Sequence, residues 1–377
     1  MRTYNQRQAE QRMNELASEG KEFVFVISYD MQHSYIEEVG SVNDQEMLYA
    51  FPHINNLPEG ESPATTPVRW TFDAPDRAKY ERSINHVKQN QCEGNCYLAN
   101  LTCRVPVETN LTMREIFLRS EAKYRCWMKN RFVCFSPEIF VRVANGKISS
   151  FPMKGTIDAT LPNAEETLMN NSKEAAEHAT IVDLIRNDLS MVADHVEVER
   201  YRYVDHLTTN KGEILQTSSE ITGRLLPYYM SHVGEMIFKL LPAGSITGAP
   251  KPKTVEIIAE AEGYERGFYT GIMGHWADGR LDSAVMIRFI DCEKGQLYYK
   301  AGGGITVRSN NDDEYNEVIE KIYVPIYRNH TCGKGSGEQC SVSSAAHERH
   351  AEALLGRCQR TADGGLRHGH RPSDGLR

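Results

Sequence analysis

The dipeptide Asn145-Gly146 sits between two β-rich runs, FVCFSPEIFVRVA before it and KISSFPMKGT after it. Asn-Gly favours the left-handed backbone of a tight hairpin turn, so the chain is expected to fold back on itself here. A two-residue loop opposes Glu138 and Met153 and leaves Lys154 on the other face of the ribbon. A three-residue loop centred on Gly146 opposes Glu138 and Lys154 directly, with Cβ atoms about 5 Å apart. Taken alone, a cross-strand salt bridge is the simpler reading of this pair. A catalytic acid beside a nucleophile is the other.

The rest of the chain reads as α/β. Residues 22–29, EFVFVISY, are β-branched and aromatic and predict a strand. The polar N-terminus, residues 1–20, predicts a helix, and residues 53–78, rich in Pro, Glu and Thr, predict a loop. From about residue 80 to Ile326, strands and helices alternate with no linker and no internal repeat. The expected organisation is therefore one α/β (α+β) domain over residues 1–328.

Composition narrows the function. The chain has 377 residues, 40% hydrophobic and 25% charged, with a formal net charge of −8. Nucleic-acid binding wants a basic surface, so it is not expected. No run of about 18 apolar residues exists and the N-terminus lacks the apolar stretch of a signal peptide, so no membrane span and a cytoplasmic location are expected. The nine cysteines fit reduced thiols better than a disulfide framework. Cys92, Cys96 and Cys103 have the wrong spacing for a zinc site.

After Arg328 the character changes. Residues 329–377 contain no Phe, Tyr, Trp, Ile or Met, and hold eight Gly and five His. Such a segment buries too little apolar surface to offset its ordering entropy, so a disordered or non-native tail is expected. Truncation after Arg328 is predicted to leave the melting temperature nearly unchanged. A fall of several degrees in a thermal melt contradicts this.

Two segments carry carboxylates. Residues 165–190 predict one helix with Glu177 near its middle. Residues 312–322 predict another, with Glu314, Glu317 and Lys321 on one face at helical spacing. Carboxylates from two helices suit Mg²⁺, which prefers one or two of them plus substrate oxygens; a solvated helix face is the bland alternative for each. Two segments offer backbone to an anion. PAGSITGAPKPKTVEII, residues 242–258, is a Gly-containing loop entering a helix, with Pro250 near its first turn. Ala301-Gly302-Gly303-Gly304 follows the strand LYYK and reads as a glycine turn. No GxxxxGK[ST] motif is present, which disfavours nucleotides.

Together the strings SPE (136–138), PMKGT (152–156), EHATIVDLIRNDL (177–189), GSITGAPK (244–251), LDSAVMIR (281–288), AGGGI (301–305) and EYNEVIEK (314–321) resemble the chorismate-utilising enzymes. The resemblance covers about Lys21 to Tyr327. It implies a single large chorismate-binding domain of two sandwiched β-sheets covered by helices.

One motif separates reactions within that family. Anthranilate and isochorismate synthases resemble P-I-A-G-T; aminodeoxychorismate synthases resemble P-I-K-G-T. This chain has Pro152-Met153-Lys154-Gly155-Thr156. The resemblance thus implies amination of chorismate to 4-amino-4-deoxychorismate, for p-aminobenzoate and folate, with Lys154 as covalent nucleophile. It implies Glu138 as general acid, and Mg²⁺ held by Glu177 and Glu317 with Glu314 close by. Thr156, Thr247, Tyr269, Arg288, the Gly302 and Gly304 amides and Lys321 are implied for substrate binding. Ammonia is expected from a separate glutamine amidotransferase subunit, and a separate lyase is expected to release pyruvate. Two positions depart from the pattern: Leu98 stands where isochorismate synthases carry a lysine base, and Gln216 where many members carry histidine. The rival readings are an anthranilate synthase component and a non-catalytic chorismate-binding scaffold.

Overall fold

A computed structural model describes residues 1–60, 66–209 and 212–326; the expected tail lies outside them. Strand Phe23–Ile27 shows how the layers arise. All five of its residues are buried. Phe23, Phe25 and Ile27 pack in one core, Val24 and Val26 in another. The period-two alternation of a strand thus feeds two apolar faces at once. Phe132–Ser136 does the same, with Val133 and Phe135 on one side and Phe132 and Cys134 on the other.

The shared core, which takes Val24 and Val26 from one sheet and Phe132 and Cys134 from the other, lies between two antiparallel sheets. The first has ten strands and includes, in spatial order, Phe23–Ile27, Ile272–Ala277, Arg280–Val285, Ile139–Ala144, then Lys147–Ser150 and Met153–Asp158 end to end along one edge of Gly212–Leu225, and Ala193–Thr209 on its other edge. The second has nine, with Leu98–Thr109, Gln296–Ile305, Phe289–Glu293 and Phe132–Ser136 adjacent. Helices Gln6–Ser18, Ser172–Leu189 and Val233–Leu240 cover the first sheet, and Arg77–Cys92, Lys251–Glu262 and Asn311–Glu320 the second. This is the expected α/β sandwich.

Local boundaries follow capping chemistry. The N-terminal helix begins at Gln6 because Asn5 and Gln8 form a reciprocal capping box. The helix expected over 165–190 is two helices, Ala164–Asn170 and Ser172–Leu189. Asn171 breaks them, since its side chain accepts from the amides of Lys173 and Glu174 and caps the second. The segment expected as a 53–78 loop contains short strands Ile54–Asn55 and Trp70–Phe72. Cys92, Cys96 and Cys103 are free thiols. Among the described residues, no helix is long and apolar enough to cross a membrane.

Candidate active site

The Asn145-Gly146 hairpin closes with a two-residue loop, since Ala144 pairs with Lys147. Direct opposition of Glu138 and Lys154 is therefore not formed. The second strand ends at Ser150, and after Phe151-Pro152 the chain resumes at Met153–Asp158 along the same edge of Gly212–Leu225, whose other edge pairs with Ala193–Thr209. There Lys154 pairs with Thr217, and the register shifts before Thr156. Gly155 sits at this bulge with φ +81°, a value that favours glycine. The bulge is one reason for a glycine after the lysine, because it re-aims a side chain out of the regular ladder.

Lys154 Nζ lies 3.7 Å from Glu177 Oε2. A side chain on Gly304 would place its Cβ 3.4 Å from that amine and 3.3 Å from Leu98 Cδ1. On the neighbouring Gly303, a Cβ would lie 3.6 Å from Glu317 Oε1 and Lys321 Nζ and 3.7 Å from Glu314 Oε2. Successive Cβ directions oppose along a strand. The two glycines thus open both sides of Gln296–Ile305, one to the amine and one to the carboxylates. The glycine turn expected after LYYK is corrected by this strand, which continues through Ile305 because Leu98–Thr109 pairs with it along its length. Gly302 faces Thr102 and Gly304 faces Asn100 in that ladder, and the Gly302 carbonyl accepts from Lys321 at 2.8 Å.

Glu138 is held by Ser245, whose hydroxyl donates to Oε1 at 2.6 Å. Burial pushes its carboxyl upward; the Ser245 bond and the charges of Lys154, Arg288 and Lys321 oppose this and lose. Glu138 and Lys154 thus share one electrostatic field without being ladder partners.

The carboxylates form a larger group than expected. Glu174 is raised by burial and then by Glu177. Glu314 is raised by burial and then by Glu317, with Glu177 adding to it. On Glu317 burial works upward, but Lys321, 2.6 Å away, together with Lys154 and Lys173, holds it below its usual value. Lys173 also stands 3.8 Å from Glu177. Four carboxylates, Glu174, Glu177, Glu314 and Glu317, thus share this region with three lysines, Lys154, Lys173 and Lys321. Among the described residues no three Cys, His, Asp or Glu side chains close around one point. An all-oxygen set contributing one or two carboxylates fits Mg²⁺, which fills its other positions with water and substrate.

The other implied binding residues fall into two settings. Thr247 and Tyr269 are buried, and Arg288 takes a left-handed backbone with its guanidinium 5.5 Å from the centre of the Tyr323 ring. Pro250 precedes helix Lys251–Glu262, whose first residue turns away to a salt bridge with Asp188 at 2.8 Å. Thr156 is exposed, and its described side-chain partner is Gln216 at 3.4 Å. His178, next to Glu177, was not singled out from the sequence. Its Nε2 meets Ser219 Oγ at 2.6 Å. Burial, then the charges of Arg202 and Lys154, push its pKa down to about 4, so it is a neutral tie between the Glu177 helix and the strand beside Lys154.

A family model for chorismate binding enzymes matches residues 17–326. The chain belongs to the chorismate-binding enzyme family. It is 43% identical over 316 residues to an uncharacterized PabA-like protein of Pasteurella multocida, covering 84% of this chain and 98% of that one. It is 32% identical over 290 residues to aminodeoxychorismate synthase component 1 of Salmonella typhimurium, covering 71% of this chain and 61% of that one. Anthranilate synthase component I of Streptococcus pneumoniae superposes with TM-score 0.58 at 26% identity, covering 71% of this chain and 62% of that one. The menaquinone-specific isochorismate synthase of Escherichia coli superposes with TM-score 0.63 at 17% identity, covering 85% and 82%. At that identity the likeness is one of fold. This family member therefore joins relatives of more than one named reaction, and its own residues must distinguish among them.

Proposed function

We propose that this chain aminates chorismate at C4, giving 4-amino-4-deoxychorismate, with Lys154 as a transient covalent nucleophile. The observation that carries the reading is the amine itself, 3.7 Å from Glu177 and turned towards Gly304 at the PMKGT bulge. In the neutral form its nitrogen attacks C2 of the ring. The two conjugated ring double bonds shift and the C4 hydroxyl leaves as water, taking a proton from Glu138. Ammonia then attacks C4 and returns a proton to the Glu138 carboxylate, the double bonds shift back, and the lysine nitrogen leaves C2 as the neutral amine. Dividing one difficult displacement into two easier ones is the logic of nucleophilic catalysis. Leu98, apolar beside the amine, has no group that could activate water at C2, which disfavours the isochorismate reaction.

Mg²⁺ is the proposed cofactor, with Glu177 and Glu317 as ligands and Glu314 close by; when bound it would clamp and neutralise the ring carboxylate. Tyr269, Arg288, Thr247, Lys321 and the Gly302 and Gly304 backbone are the proposed contacts for the remaining substrate oxygens, with Thr156 at the outer edge. Ammonia is proposed to come from a glutamine amidotransferase subunit, and pyruvate release from a separate lyase. Mass spectrometry of products from chorismate, Mg²⁺ and ammonium tests the reaction. The expected product is 4-amino-4-deoxychorismate, converted to p-aminobenzoate only when a lyase is added. Anthranilate as the sole product would sink the reading.

The acid role of Glu138 gives a pH prediction. Its protonated form is the competent one, and its pKa lies above the usual carboxylate value. Because Lys154 must also be neutral, the rate should fall on both sides of an optimum, with the raised Glu138 value setting one of the two limbs. The Ser245 bond favours the ionised carboxylate, so Ser245→Ala should raise the pKa further and carry that limb to higher pH. A limb that stays put, or moves to lower pH, removes Glu138 from the acid role.

A further inference from the structure

Away from the charged residues of the cleft, one ion pair is almost wholly sealed from solvent. The side chains of Glu262 and Arg266 are 1% and 2% exposed. All the N–H groups of the Arg266 guanidinium are in use. Nε donates to Glu262 Oε2 at 2.9 Å, and Nη2 to Glu262 Oε1 and to the Asn100 carbonyl, each at 2.6 Å. Nη1 donates to the Ile246 carbonyl at 3.0 Å and to Thr270 Oγ1 at 3.2 Å. Glu262 Oε1 also accepts from the Thr102 amide and hydroxyl, both at 2.8 Å.

The partners share a location. Ile246 precedes Thr247, and Thr270 follows Tyr269. Asn100 and Thr102 face Gly304 and Gly302 across the ladder. The Arg266 carbonyl accepts from the Tyr269 amide at 3.2 Å and from Lys300, on the glycine strand, at 3.1 Å. Every bond beyond the pair thus reaches a segment that carries a proposed substrate contact or is the ladder partner of one. A buried ion pair is weak evidence for stability by itself, because well-packed apolar residues often do as well or better. What apolar residues lack is a planar fork that fixes several carbonyls at set angles.

We propose that the Glu262–Arg266 pair is the positioning element of the substrate pocket, setting the Thr247 turn, the Tyr269–Thr270 turn and the strand opposite the glycine run in register for the carboxylate of chorismate. This role rests on the chorismate reading above. Neither side chain touches the reacting atoms.

The test uses Arg266→Lys, and the charge-free double variant Glu262→Leu with Arg266→Met. Melting temperature, kcat, and KM for chorismate and for ammonium are measured on the full chain. Lysine keeps the charge but cannot reproduce the fork. Chorismate KM is expected to rise about tenfold to a hundredfold in Arg266→Lys, the scale of a small misplacement of binding groups, while ammonium KM stays near the parent value. The double variant leaves the Asn100 and Ile246 carbonyls without these partners, so it is expected to melt somewhat below the parent and to lose chorismate affinity. An unchanged chorismate KM in Arg266→Lys overturns the proposal, as does a loss confined to kcat with both KM values unchanged, the mark of a smaller active fraction. Should the double variant melt far below the parent, the Arg266→Lys KM values decide alone. A parent enzyme that makes no aminated product from chorismate sinks the functional reading itself; an active parent with unaffected variants sinks only the positioning role.

Discussion

Alanine in place of Lys154 should lower 4-amino-4-deoxychorismate formation at least about a hundredfold, a loss of about 2.7 kcal/mol of transition-state stabilisation. The variant removes the amine that lies 3.7 Å from Glu177 and turns towards Gly304. It leaves the pocket alanine-lined at this motif, as in the anthranilate-type members that the sequence resembles, where ammonia attacks C2 directly. A product aminated at C2 should therefore appear in its place. Arginine should not rescue, because a guanidinium stays protonated and cannot attack. The lysine is 28% exposed and its ion pair is not deeply buried, so the fold should survive the change. Rates and products are read together by mass spectrometry. If the alanine variant still makes the C4-aminated product at the parent rate, Lys154 is an ion-pair partner and nothing more.

Removal of the metal should be equally severe. Excess chelator is expected to abolish turnover and added Mg²⁺ to restore it. Glu317→Gln, and separately Glu177→Gln, should do the same without unfolding the chain. Each change removes one negative charge from a group in which Glu174 and Glu314 are already pushed upward by burial and by their carboxylate neighbours. Glu177→Gln relieves that crowding, whereas Glu317→Gln also gives up the ion pair with Lys321 and is expected to lower the melting temperature slightly. The discriminating measurement is therefore a melt beside an assay. Lost activity in a chain that still melts cooperatively near the parent temperature supports the ligand roles, and full activity in chelator refutes them.

How much of this was readable in the chain depended on range. Asn145-Gly146 specified its turn locally, and Ala144 pairs with Lys147 accordingly. What followed was not local. The strand after the hairpin is interrupted at Phe151-Pro152 and PMKGT continues it along the same edge of Gly212–Leu225, so the direct opposition that a three-residue loop would give is absent and Glu138 feels Lys154 through its charge. The glycine run looked like a turn because glycine is a poor strand former. Pairing with Leu98–Thr109 overrode that preference. Asn171 is a cap in the middle of a helical pattern, and the apolar spacing on either side of it masks the break.

The missed site residues have partners far away in sequence. Ser245 lies 107 positions from Glu138, and His178 lies 41 from Ser219. Glu262 closes its helix and Arg266 lies beyond the left-handed Gly263 cap, so helical spacing does not mark the pair. Its bonds to Asn100, Thr102 and Ile246 were no more legible, since only the folded sandwich brings those backbones together.

The most direct measurement is the intact mass of the protein incubated with chorismate and Mg²⁺ in the absence of ammonia. A nucleophilic Lys154 should hold the ring, and the parent mass should increase by chorismate less one water, with peptide mapping placing the addition on Lys154. The Lys154→Ala variant should show no such increase, and ammonium should discharge the adduct as 4-amino-4-deoxychorismate. A parent that never gains this mass under single-turnover conditions, yet aminates C4 when ammonium is supplied, would contradict the covalent route.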